Sequence, residues 1–125
     1  MLKKCKIQVK DFQLIVTLRQ TSTAEEIWKA LPIKSTVNTW GDEVYFFTSV
    51  DALVEDDAND IINLGEIAYW PSGKAIAIGF GKTPASIDKE IRLADKCNIW
   101  GDCNIDLEKI KTIKSGDKIF VEKCQ

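Results

Sequence analysis

The chain of 125 residues has no histidine and only two arginines, Arg19 and Arg92. Without histidine, the Ser-His and Cys-His pairs that activate a nucleophile are unavailable. Its four cysteines, Cys5, Cys97, Cys103 and Cys124, contain no CxxC pair. With no close Cys or His pairs there is no framework for a structural zinc, so neither metal nor cofactor is implied. No apolar run approaches the ~18 residues of a membrane span, so no membrane partner is expected. Nor is there an excess of positive charge: 17 basic against 19 acidic residues leave a net charge of −2. Phosphate backbones call for a basic face, so a nucleic-acid partner is not expected either. The start of the chain lacks the apolar h-region of a secretory signal, and a cytoplasmic location is the expectation.

What is present is alternation. Composition is 45% hydrophobic and 29% charged, ordinary for a globular chain, and the length suits one domain over 1–125. Cys5, Ile7 and Val9 alternate with Lys4, Lys6, Gln8 and Lys10, which places the lysines on the wet face of a strand. Phe12, Leu14, Val16 and Leu18 repeat the pattern after Asp11, so the two runs predict an antiparallel hairpin. The period then changes. Ser22 and Glu25 have the capping-box spacing, and Ala24, Ile27, Trp28 and Leu31 form one helical stripe that Pro32 ends. A helix of about ten residues is marginal alone in water, so it is expected to cover an open end of the sheet.

Further strands are predicted at 33–40, 44–48, 66–70, 75–80, 97–103 and 118–124, with a short helix after Asp106. The acidic stretch 51–63, with Glu55, Asp56, Asp57 and Asp60, reads as an exposed loop. It lacks the ligand spacing and the glycine of an EF-hand loop. Residues 81–93 read as irregular. In the strand 75–80, small residues (Ala75, Ala77, Gly79) alternate with large ones (Ile76, Ile78, Phe80), which makes room on one face for bulk or a ligand. Eight short strands and two short helices favour a closed barrel or sandwich. Cys5 and Cys124 fall on the first and last strands, where a disulfide is conceivable if those strands pair.

The segment GEIAYWPSGK at 65–74, the following strand and GKTP at 81–84 resemble the signature of the cyclophilin-like family of uncharacterised bacterial and archaeal proteins. IRLADKCNIWG at 91–101, the Asp106 helix, the KSGDK turn at 114–118 and GDEVY at 41–45 agree with it, so the likeness spans nearly the whole chain. The resemblance implies a closed eight-stranded barrel with helices at its ends, related to the prolyl-isomerase fold of cyclophilins. It does not imply isomerase activity, because function belongs to the site. Cyclophilins use an arginine and carry a histidine in an apolar groove. Histidine is absent here, and no Phe-x-x-Gln with a preceding arginine is found.

No catalytic set is therefore identified. Candidate ligand-binding residues are Glu43, Tyr69, Trp70, Phe80, Thr83 and Arg92. Tyr69 and Trp70 adjoin on one strand and point to opposite faces, one to the core and one to a groove or the surface. Arg92 reads either as a surface partner of Glu90 or Asp95, or as an anion or carbonyl anchor at a pocket rim. Glu43, after a turn and before an aromatic strand, is placed to face the same mouth. Three functions fit: a domain binding a small molecule or extended peptide in an aromatic-lined cleft, an atypical prolyl isomerase using Arg92, or a module forming a homodimer through an exposed barrel edge.

Overall fold

The two alternating runs at the start of the chain form the expected hairpin. In the computed structural model, which describes residues 2–124, β1 (Lys4–Val9) and β2 (Phe12–Leu18) pair antiparallel, with Ile7 opposite Leu14 and Val9 opposite Phe12. Cys5, Ile7, Val9, Leu14 and Val16 are buried, while Lys4 and Gln8 face water. The last strand, β10 (Lys118–Lys123), joins the other edge of β1, setting Cys5 opposite Lys123. First and last strands thus do pair, yet the conceivable Cys5–Cys124 disulfide is not formed: all four cysteines are free thiols.

The intervening strands are β3 (Ile33–Thr36), β4 (Asn38–Thr39), β5 (Glu43–Phe47), β6 (Asn59–Ile62), β7 (Glu66–Trp70), β8 (Ala75–Gly79) and β9 (Ile91–Asp102). The sheet runs β3-β10-β1-β2-β9-β7-β8-β5-β4, with β6 attached to β9. Its two terminal strands, β3 and β4, are separated only by Val37. The stretch 33–39 is therefore one bent strand, pairing first with β10 and then with β5. That seam closes the wall into a barrel of eight members, the mainly β architecture expected. The Ser35 hydroxyl donates to the Phe47 carbonyl across the same seam at 2.7 Å.

Both ends are plugged. α1 (Ser22–Ala30) inserts Ala24 and Ile27 at the end where β1 begins, and Lys3 there pairs with Glu25 at 3.1 Å. α2 (Leu107–Ile110) and the turn after it insert Ile110 and Ile113. They lie at the opposite end, where Lys10 Nζ reaches the Thr112 carbonyl at 2.7 Å. Inside the wall sit Trp100, Tyr69, Phe46 and the isoleucines of β8. The Trp100 indole donates to the Ala68 carbonyl and the Tyr69 hydroxyl to the Val50 carbonyl, so both buried aromatics are satisfied.

Three expectations need correction. The α1 cap is Thr21, whose hydroxyl accepts from Ala24 N at 3.1 Å; Ser22 is already helical. Part of the stretch read as a loop, 59–62, is strand β6, recruited by β9. And β9 begins at Ile91, well before Cys97, inside the segment read as irregular. The remainder of the acidic stretch is tied down by polar contacts. Glu55 accepts from Thr23 N at 3.1 Å and from the Thr23 hydroxyl, while its own N–H donates to the buried side chain of Asn98 at 2.9 Å.

Candidate functional site

The site is built on the outside of the barrel, and its origin is the cross-strand register. On β5, Val44 and Phe46 point inward, so Glu43, Tyr45 and Phe47 point outward. Opposite these three on β8 stand Gly79, Ala77 and Ala75. On the far side of β8, Ala68 of β7 faces Ala77 and Trp70 faces Ala75. Bulky outward side chains thus flank a floor of alanines. Ile76 and Ile78 fill the barrel from the other face of the same strand, so β8 is buried on both sides.

The first half of β9 folds over this face as an arm. Leu93 and Cys97, with Ile62 from β6, bury Ala68 and Ala77 in a second apolar cluster outside the wall. The approach is close: a Cβ on Gly79 would meet Ile91 Cγ2 at 2.6 Å. The arm leaves one cavity of about 240 Å³, lined by Trp40, Glu43, Tyr45 and Trp70, by the alanine floor, and by residues 93–95 and 97 of the arm. Gly73 sets the position of Trp70, since a Cβ there would sit 2.2 Å from the indole ring. At the mouth the Trp70 indole N–H donates to Asp95 Oδ2 at 3.3 Å.

Glu43 is the unusual group. Its residue is 6% exposed, and Oε1 has no hydrogen-bond partner among the described residues. Burial pushes its carboxyl up from 4.5 to about 7. The thiol of Cys97 is pushed up to about 12, first by burial and then by the nearby carboxylates of Glu43, Asp95 and Asp60. A thiol of that kind stays protonated at neutral pH and is no nucleophile. The cavity therefore offers hydrogen bonding and proton exchange at one carboxyl, apolar and aromatic walls, and no covalent chemistry from its cysteine.

Of the candidate residues, Glu43 and Trp70 are brought together in this cavity. Tyr69 lies inside the barrel, the core member of the pair. Phe80 packs half-buried against the barrel core. Thr83 is buried in the 81–90 loop, its hydroxyl donating to the Arg92 carbonyl and accepting from Ala85 N. The Arg92 guanidinium is held by Glu90 at 2.9 Å and Asp60 at 2.8 Å, away from the cavity lining. Sequence reasoning assigned no site role to Trp40, Tyr45, Asp95 or Cys97. For Tyr45 a signal existed: it stands two residues from Glu43 on a strand, hence on the same face.

Fold and site together define a small closed β-barrel with an aromatic cleft on its outer wall. The chain belongs to the Cyclophilin-like family, whose model matches residues 3–122. Among solved structures, that of the hypothetical protein AF2241 from Archaeoglobus fulgidus is 40% identical, with a TM-score of 0.84 over 98% of this chain and 95% of that one. The structure of McbB in complex with tryptophan matches with a TM-score of 0.65 at 13% identity, covering 94% of this chain and 44% of that chain, and shares the fold alone. No curated protein matches the chain. Among the described residues, no helix is long and apolar enough to cross a membrane.

Proposed function

We propose that this barrel is a binding domain whose ligand, a small molecule or a short piece of extended peptide, occupies the cleft between β5, β7, β8 and the β9 arm. The observation that carries the reading is Glu43, a buried carboxyl whose Oε1 has no partner among the described residues, in the lining of a largely apolar cavity. An unsatisfied buried oxygen costs about 1–3 kcal/mol, and a ligand that donates to it recovers that deficit. Convergence of a few polar groups on a concave apolar surface is the common form of a small-molecule site. The isomerase reading has no comparable support, because Glu90 and Asp60 already satisfy the guanidinium of Arg92.

The test is a fragment screen on nitrogen-15-labelled protein, read at the tryptophan indole signals. Binding fragments are expected to move the Trp40 and Trp70 indoles and leave that of Trp100, inside the barrel, unmoved. Ala77→Leu, which fills the floor of the cleft, is expected to abolish the response while the Trp100 signal reports an intact barrel. A broad library that leaves both cleft indoles unmoved at millimolar concentration removes the reading.

A further inference from the structure

We propose that the cleft selects a protonated amine carried on a short apolar body: an arylalkylamine, or the side chain of a lysine. The inference rests on the binding reading above and names the class of ligand. Four observations point the same way.

The first is charge. The ionisable side chains that line the cavity include the carboxyls Glu43 and Asp95, and no lysine or arginine lines it, although the chain carries 17 basic residues. Both arginines are engaged elsewhere, Arg92 with Glu90 and Asp60, and Arg19 with Glu66 and Asp102. Among the described residues, no lysine or arginine therefore lies with Glu43 in the cavity lining. An anionic ligand would enter against Asp95 at the mouth, whereas a cation is drawn in. The second is the orphaned oxygen: Glu43 Oε1 lacks a partner, and an ammonium brings three donors and no acceptor. The third is the aromatic lining. Trp40, Tyr45 and Trp70 line the same cavity as Glu43, and aromatic faces attract ammonium groups while their area accommodates an apolar body. The fourth is size. About 240 Å³ falls below the ~300–1,000 Å³ of common ligand pockets, so the cleft takes one small amine or one side chain rather than several residues of a peptide.

Four probes test this by isothermal titration and by the Trp40 and Trp70 indole signals: 2-phenylethylamine, its neutral analogue 2-phenylethanol, its anionic analogue 3-phenylpropanoate, and acetyl-lysine methylamide. At least one of the two amines is expected to bind, with the alcohol about tenfold weaker and the carboxylate undetectable. The stronger of the two amines tells a free amine from a lysine side chain. Glu43→Gln is expected to lower amine affinity about tenfold and leave the alcohol unchanged. Where that variant does not fold, Asp95→Asn at the exposed mouth is expected to weaken the amine selectively. If the alcohol or carboxylate binds as well as the amines through the same indoles, the amine inference falls and the binding reading stands. If none of the four moves the indoles, the amine inference falls as well, and the fragment screen decides the binding reading separately.

Discussion

Glu43 opens β5 opposite Gly79, and the β9 arm deprives its carboxyl of water without giving Oε1 a partner. The group is therefore held up at about 7 in the folded protein, against about 4.3 in an unfolded chain. Below the lower value both states carry the proton, and the folded state has its full advantage. As pH rises toward 7 the unfolded chain releases its proton first, so stability falls through that window and levels off above it. The loss amounts to roughly 4 kcal/mol by pH 8. Glu43→Gln is expected to remove that slope and to be the more stable protein at pH 8, as checked by urea unfolding at pH 5, 6, 7 and 8. A wild-type stability that rises between pH 5 and 7 would contradict the assignment. Both Glu43 and Trp70 were legible in the sequence, the first from its place between a turn and an aromatic strand, the second from its parity with Tyr69. Arg92 was ambiguous because its partner Asp60 lies 32 residues away on β6, a proximity that no local pattern encodes.

At the scale of elements, period-two alternation marked β1, β2 and β10 well, because each has one wet face and one dry face. It failed for β9. That strand bends: Ile91 and Leu93 face the outer cluster, Ala94 to Lys96 are exposed, and Trp100 enters the barrel. Its residues answer to two cores in turn, and a single period cannot describe them. β6 was missed for a related reason, since it pairs only with β9 and carries the acidic residue Asp60. The first helix was legible in kind and off by one residue in its cap, because Thr21 and Ser22 are both capping types and only the backbone decides between them. Thr21→Ala is expected to cost about 1 kcal/mol by leaving Ala24 N unsatisfied. Ser22→Ala, which removes only an exposed 3.4 Å contact to Glu55, is expected to change stability by a few tenths of a kcal/mol at most. Shifts in denaturant midpoint at constant m distinguish the two.

For the molecule as a whole, two apolar clusters share β8 as a partition. The barrel interior holds the large buried side chains, and the outer cluster is a small group under the arm. Stability is thus distributed unevenly, and the arm is expected to open at lower free energy than the wall. Ile62→Ala thins the outer cluster alone. Amide exchange at 59–62 and 91–97 is expected to accelerate, with protection in β1, β2 and β10 unchanged. Equal acceleration everywhere would mean that arm and wall unfold as one. The tally of strands and turns narrowed the fold to a barrel or a sandwich, and the family resemblance pointed to the barrel. The cleft was not legible, because it depends on which strands lie side by side and on an arm whose path only the folded chain reveals.

The bent stretch 33–39 has a consequence for recognition. By pairing with β10 and then β5, it occupies two edges on which a guest chain could otherwise lay down its own backbone ladder. Augmentation of a sheet requires such an edge, and among the described residues the edge left open in the wall is that of β2 at 12–16, since β2 meets β9 only at Thr17 and Leu18. At the proposed cleft, by contrast, a visiting polypeptide would be read through the side chain it inserts, by the shape and charge of a single projecting group.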